Sequence, residues 1–341
     1  MARRRGCCDG CHSRYRGPCH LGGCGRPLGY APAVASLHAL LRGLHVGQPL
    51  AARARVGRQI SDARLPADGV PRLLRDHLER QPRNPGCVVD VWRRHRQDPS
   101  RRWRRHPVVR GYSADHDGTE IADSCTSVPA IAAAYEKVIT TYNVSRLDLD
   151  TEDRSLTRDA GIDRRNRAIA LVEEWATRVH RLVQFVYTIP TNVAGIDPTS
   201  VHLLQNAVLH HARIDIVNIM TFDHYDDQPH EMANDTKTAA GHLIDTLHAL
   251  YPQKSPEALW GMIGVTEMIG IDDFGPPEIL TQADARDVRD WARARGIAEL
   301  SFWALERDNG GCPGVAGSDS CSGLHQSTWR FTGIFSPFTH R

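Results

Sequence analysis

The chain has 341 residues, a formal net charge of +2 and 41% hydrophobic residues, enough for one large domain or two ordinary ones. The near-neutral total hides a split: residues 1–110 hold 23 Arg, no Lys and 7 acids, for +16, while the rest holds 16 Arg, 3 Lys and 33 acids, for −14. A basic arm for nucleic acid would mix Lys with its Arg, so no nucleic-acid partner is expected. No stretch approaches the roughly 18 apolar residues of a membrane helix, so no membrane partner is expected either.

Residues 1–112 show little order. Helical spacing appears briefly near 36–45 and 70–80, and elsewhere Arg, Pro, Gly, His and Cys interrupt every pattern. The start, MARRRGCCDGCHSRYRGPCH, has a basic flank but no apolar core behind it, so the chain as written is expected to show no export signal. Cys7, Cys8, Cys11, Cys19 and Cys24 lie near His12 and His20, but their spacing lacks the paired C-x2-C units of common zinc sites. Arg without Lys, with Gly, Cys and Pro, is what a GC-rich gene yields in the wrong frame. One codon choice for His95–Arg110, read one base later, spells IARIRRAGGDVIRSFG, a helix end, a turn and a strand running into Gly111. The expectation for 1–112 is therefore an Arg-rich, irregular, disordered segment translated out of frame, with the ordered domain at 113–341.

Beyond residue 126 the pattern becomes regular. Helical periodicity over 127–142 places Val128, Ile131, Ala132, Tyr135, Val138 and Ile139 on one face. Strand 144–152 follows, then helix 163–180, strand 182–190, helix 198–212, strand 214–222, helix 231–250, strand 260–269, helix 281–295 and strand 298–304. Five apolar strands alternating with amphipathic helices argue a parallel sheet covered by helices, a barrel or an open sheet. The strand ends carry Asp150, Glu152, Asp223, Glu267 and Glu306, where both versions of the fold place active sites.

The segment Arg146-Leu-Asp-Leu-Asp-Thr-Glu152 alternates acids with other residues. A strand sends i, i+2 and i+4 to one side, so Asp148, Asp150 and Glu152 share a face about 7 Å apart along the strand. Leu147 and Leu149 face the covering helices. Repulsion and desolvation should raise at least one carboxyl pKa, as a general acid requires. A solvated acidic edge or a calcium site would show the same spacing.

LDLDTE resembles the D-x-D-x-E signature that ends the fourth barrel strand of family 18 glycoside hydrolases. GTEIADSCTSVPAIAAAYEKVITTYNVSRLDLDTE, VYTIP, DIVNIMTFD, GVTEMIG, LSFWALERDNGGCPG and FTGIFSPF are similar, in order, to segments of small bacterial chitinases, over about 118–338. The resemblance implies a (β/α)8 barrel with its N-terminal strands missing or garbled, since three strands are owed before Arg146 and only five are visible in all. It implies hydrolysis of β-1,4-N-acetylglucosamine linkages in chitin, with an endo-β-N-acetylglucosaminidase or a catalytically impaired carbohydrate-binding relative as alternatives. Glu152 would be the general acid. Asp150 would turn between Asp148 and Glu152 and hold the substrate acetamido group, and Asp148 would keep that pair partly protonated. The acetamido oxygen would be the nucleophile, with retention of configuration. Met220, Asp223 and a tyrosine would line the sugar site. Phe222 stands where many members carry that tyrosine, so Tyr225 is the expected hydroxyl. Trp303 would floor the reacting sugar, although it also suits an ordinary core. No metal or cofactor is implied, and His210, His211 and His224 are assigned none. The resemblance further implies an extracellular monomer acting on chitin or N-acetylglucosamine oligosaccharides. Export would favour a disulfide between Cys312 and Cys321, and Cys125 has Cys87 as its possible partner.

Overall fold

The computed structural model describes residues 36–40, 108–109 and 111–339. Seven strands form one sheet: β1 (Ser36–Leu40), β2 (Val108–Val109), β3 (Arg146–Asp150), β4 (Gln184–Pro190), β5 (Ile216–Met220), β6 (Ile263–Met268) and, after a small antiparallel ribbon of β7 (Gly270–Ile271) and β8 (Ile279–Leu280), β9 (Glu299–Trp303). Their spatial order is β1-β9-β6-β5-β4-β3-β2, with every neighbour parallel. The first strand therefore lies beside the last. An open sheet built in sequence keeps those two apart, whereas a (β/α)8 barrel joins them. The fold is a (β/α)8 barrel of which seven strand positions fall among the described residues.

The five strands read from periodicity are all present, each a residue or more shorter at its ends. Two further strands correct the count of five. Ser36–Leu40 carried helical spacing, yet its backbone pairs with β9 from Ser36 opposite Glu299 to Leu40 opposite Trp303. Val108 and Val109 pair with Asp148 and Leu149. At 36–40 tertiary pairing has overridden local pattern, and at 108–109 it marks a strand too short to have one. The remainder of 1–107, including the disorder and frame expectations, the early cysteines and Cys87, lies outside the described residues.

The helices are α1 (Tyr112–Asp117), α2 (Ile121–Ser124), α3 (Val128–Tyr142), α4 (Asp159–Arg178), α5 (Pro198–Leu209), α6 (Met232–Leu250), α7 (Pro256–Trp260), α8 (Gln282–Arg295) and α9 (Arg330–Phe335). Five of these nine starts carry a side-chain cap. Ser127 accepts from the amide of Ala130 at the head of α3, and Thr281 with Asp284 forms a reciprocal capping box at the head of α8. Gly296, at φ 77°, stops α8. No helix among the described residues is long and apolar enough to cross a membrane.

Alternation splits β3, β4, β5, β6 and β9 between two environments. Leu147, Leu149, Phe185, Tyr187, Val217, Ile219, Val265 and Leu300 are buried in the layer shared with Ile131, Tyr135, Ile139, Ile169 and Val172 of the helices. The opposite face is polar. The Thr188 hydroxyl donates to Asp148 Oδ1 at 2.5 Å, and Asn218 Nδ2 donates to Thr188 Oγ1 at 2.9 Å and to Thr266 Oγ1 at 2.7 Å. Thr266 in turn meets the hydroxyl of Ser301. Five adjacent strands thus contribute one side chain each to a buried polar string. At the N-terminal strand ends Arg146 pairs with buried Glu299 at 2.9 Å and donates to Gln184 at 2.9 Å.

Candidate active site

Apart from Asp148, in the middle of β3, each sequence-predicted site residue lies at, or just beyond, the C-terminal end of a barrel strand. Asp148 and Asp150 are in β3 and buried, and Glu152 follows in extended conformation. Met220 ends β5, and Trp303 ends β9.

Asp148 has its carboxyl pushed up to about 8. Burial is the main cause and the charge of Glu299 the next; the Thr188 hydroxyl and the Arg146 guanidinium oppose them. The rise expected from the sequence is present, but its source differs. The deep seat of Asp148 and the charge on β9 produce it, rather than repulsion within the acidic triplet.

Glu152 is held from a direction the sequence did not advertise. The chain leaving β2 turns into α1 directly over the end of β3. The Tyr112 amide donates to Glu152 Oε1 at 2.9 Å, and the amide of Glu152 itself donates to Asp115 Oδ2 at 2.6 Å. Gly111 lies so close that a β-carbon there would come within 2.2 Å of Asp150 Oδ2 and 3.3 Å of Glu152 Oε1. Gly111, Tyr112 and Asp115 were not identified as site residues. Asp115 is one acid among many, with no periodicity to mark it, and the contact spans 37 positions.

On the far side, Asp223 and Tyr225 both adopt left-handed backbone, φ 56° and 53°. Acidic groups pin this turn. The amide of Asp223 donates to Asp272 Oδ2 at 3.3 Å, and buried Glu278 accepts from the amides of His224 and Tyr225 at 3.0 and 3.2 Å. Burial, then Asp273 and Glu278, push the Asp223 carboxyl up to about 7. Tyr225 projects outward, 60% exposed, with its ring edge-on to Phe274 at 5.5 Å. Trp303 packs with Met268, Ala304 and Phe222 and is nearly buried, and the peptide that follows it is cis. Cys312 and Cys321 form a disulfide with Cα atoms 5.9 Å apart. Among the described residues no group of three or more His, Cys, Asp or Glu is arranged to hold a metal.

Acids at the end of one parallel strand, an indole at the end of another and a pinned acidic turn beyond a strand between them line the C-terminal end of the sheet. Comparison with known proteins bears on the same region. The chain is 29% identical to the probable bifunctional chitinase/lysozyme of Escherichia coli (strain K12) over 231 residues, which covers 64% of this chain and 25% of that one. It is 28% identical to endochitinase 11 of Metarhizium anisopliae over 197 residues, 55% of this chain and 37% of that one. The catalytic domain of the hyperthermophilic chitinase of Pyrococcus furiosus superposes with a TM-score of 0.56 at 29% identity, over 63% of this chain and 67% of that one. The chain is similar to chitinases of the family 18 glycoside hydrolases. It spans a quarter to a little over a third of the curated relatives' own length, and no family model matches it. A second Pyrococcus furiosus structure, of catalytic-site mutants complexed with chito-oligosaccharides, matches with a TM-score of 0.56 at 28% identity.

Proposed function

We propose that this family 18 relative hydrolyses β-1,4 linkages in chitin and N-acetylglucosamine oligosaccharides, without cofactor and with retention of configuration. The observation that carries this is the carboxylate series of β3. Asp148 is sealed under Asp150, and Glu152 stands at the rim with its Oε1 fixed by the Tyr112 amide.

Glu152 in its acid form donates a proton to the glycosidic oxygen as the bond from that oxygen to C1 breaks. The carbonyl oxygen of the substrate's own acetamido group attacks C1, closing an oxazolinium ring and leaving no need for a second protein nucleophile. Asp150 accepts the acetamido N–H and stabilises the ring's positive charge. Asp148, neutral near pH 7 because burial holds its carboxyl at about 8, spares Asp150 a full negative neighbour. Water then opens the ring at C1, with Glu152 taking back a proton and restoring the starting state. Asp223 and Met220 lie on the strand end that would receive the acetamido group, and Trp303 offers a flat apolar face to the pyranose. Tyr225 serves the sugar through its exposed ring and hydroxyl. The Cys312–Cys321 disulfide suits an extracellular enzyme.

Release of reducing ends from chitotetraose and chitohexaose tests the reading. The parent chain is expected to cleave both. Glu152→Gln keeps size and hydrogen bonding while removing the proton, and is expected to lower kcat by about 10³-fold with the fold intact. A parent that binds chitin beads and releases nothing, or a Gln variant with near-parental turnover, overturns it.

A further inference from the structure

Buried acids that a mechanism leaves unused call for an explanation, and Asp115 is the one that touches the reactive strand. It lies on α1, is fully buried, and receives the backbone N–H of Glu152 on Oδ2 at 2.6 Å. Its buried neighbours are bonded among themselves. Glu120 Oε2 accepts from the amides of Ala122 and Asp123 and from Arg165 Nη2, the last at 3.0 Å. Arg165 is itself buried on α4 and attracts Asp115, which Glu120 repels. Buried charges on α4 and at the head of α2 thus surround the acid that makes a single short hydrogen bond to the main chain of the residue proposed as general acid.

Such a construction is costly as mere packing. Burying an ionisable group requires compensation, and an apolar side chain would fill the same space without it. Glu152 has left the β3 ladder and caps the short 3-10 turn Asp153–Leu156, so its amide is not held by the strand pairing. The Tyr112 amide meets the same glutamate at Oε1 from the same helix. The residue is therefore gripped at both ends, by backbone and by carboxylate, from one element.

We propose that Asp115 is a positioning residue for Glu152, fixing its backbone so that the carboxyl stands where the leaving sugar oxygen is protonated. The inference rests on the chitinase reading above. It assigns Asp115 to one half-reaction: protonation of the departing oxygen, as distinct from substrate binding or attack by the acetamido group.

Leaving-group dependence isolates that role. A sugar alcohol needs the proton of Glu152 to depart, and a strongly acidic phenol does not. Asp115→Ala is expected to lower kcat on chitotetraose about 30-fold with little change in KM, since small misplacements of a catalytic group are that costly. On an acidic-phenol glycoside of chitobiose the same variant should lose less than about threefold. Asp115→Asn keeps an acceptor oxygen and should recover most of the loss. If the alanine protein is insoluble, Asp115→Ser, too short to reach the amide, carries the same comparison. Equal losses on both substrates, no loss on either, or an Asn variant as impaired as Ala would each overturn the proposal. A parent inactive on both substrates would instead overturn the chitinase reading on which it rests.

Discussion

Replacing Gly111 by alanine separates stability from catalysis more cleanly than any other single change in the site. The added methyl has no backbone objection, since Gly111 sits at φ −113°, where every L-residue is comfortable. Its difficulty lies in front of it: 2.2 Å to Asp150 Oδ2 and 3.0 Å to the carbon that carries it. To reach an ordinary contact the carboxylate must retreat by about 1 Å. The Asp150 side chain can do so by rotating, so the fold loses little, and the smaller entropy of unfolded alanine returns about 0.4–1 kcal/mol. Catalysis has no such freedom. An error of about 1 Å in a reacting group costs on the order of 10²-fold in rate. Gly111→Ala is therefore expected to melt within about 3 °C of the parent while kcat on chitotetraose falls about 10²-fold. Circular dichroism melts and reducing-end release on one preparation give both numbers. A variant with kcat within about threefold of the parent would refute the close approach of Gly111 to Asp150. A variant that loses structure would refute the claim that the displaced group is only the movable end of a side chain.

Glu267 offers a pH-dependent test away from the chemistry. It is buried on β6, accepts from the Thr236 hydroxyl at 2.7 Å, and burial pushes its carboxyl up to about 8. A folded pKa above the unfolded one gives stability that is complete below about pH 4.5 and is lost as pH rises toward 8. Glu267→Gln mimics the neutral acid, so its melting temperature should match the parent near pH 4.5 and exceed it increasingly up to pH 8.5, by a margin worth on the order of a few kcal/mol; a constant offset across that range would contradict the assignment. For the loop at 312–321, replacing both cysteines by serine releases a closure of nine residues' separation and should cost about 3 kcal/mol in denaturant unfolding, while kcat on chitotetraose stays near the parent's.

The strands that sequence alone made visible are those whose outward faces meet helices, such as Phe185, Tyr187 and Ile189 on β4. A fully apolar outer face gives each strand a continuous signature. β2 has only Val108 and Val109, followed by an Arg, too short a run to register. β1 carries Leu37, Ala39 and Leu40 at spacings that a helix shares, and only pairing with β9 reveals it as strand. The acidic triplet was legible because strand alternation is a local property. Asp115 and Gly111 were not, because their roles arise where α1 crosses the end of β3, a meeting that no spacing encodes. Tyr225 was chosen for its hydroxyl and its nearness to Asp223; the left-handed turn instead leaves most of its ring in solvent.

The polar string across the barrel also settles where hydrogens can stand. Thr188 has one hydrogen to give, and Asp148 Oδ1 receives it. Asn218 has two on Nδ2 and gives one to each flanking threonine oxygen. Because Thr188 gives its one hydrogen to Asp148 Oδ1, that oxygen stands as an acceptor. A proton on neutral Asp148 then sits on Oδ2, the oxygen that Thr188 does not bond. A threonine on β4 and an asparagine on β5, neither of them acidic, thus act as a ratchet for the acid on β3. They set which of its two oxygens accepts a hydrogen bond from the wall of the barrel.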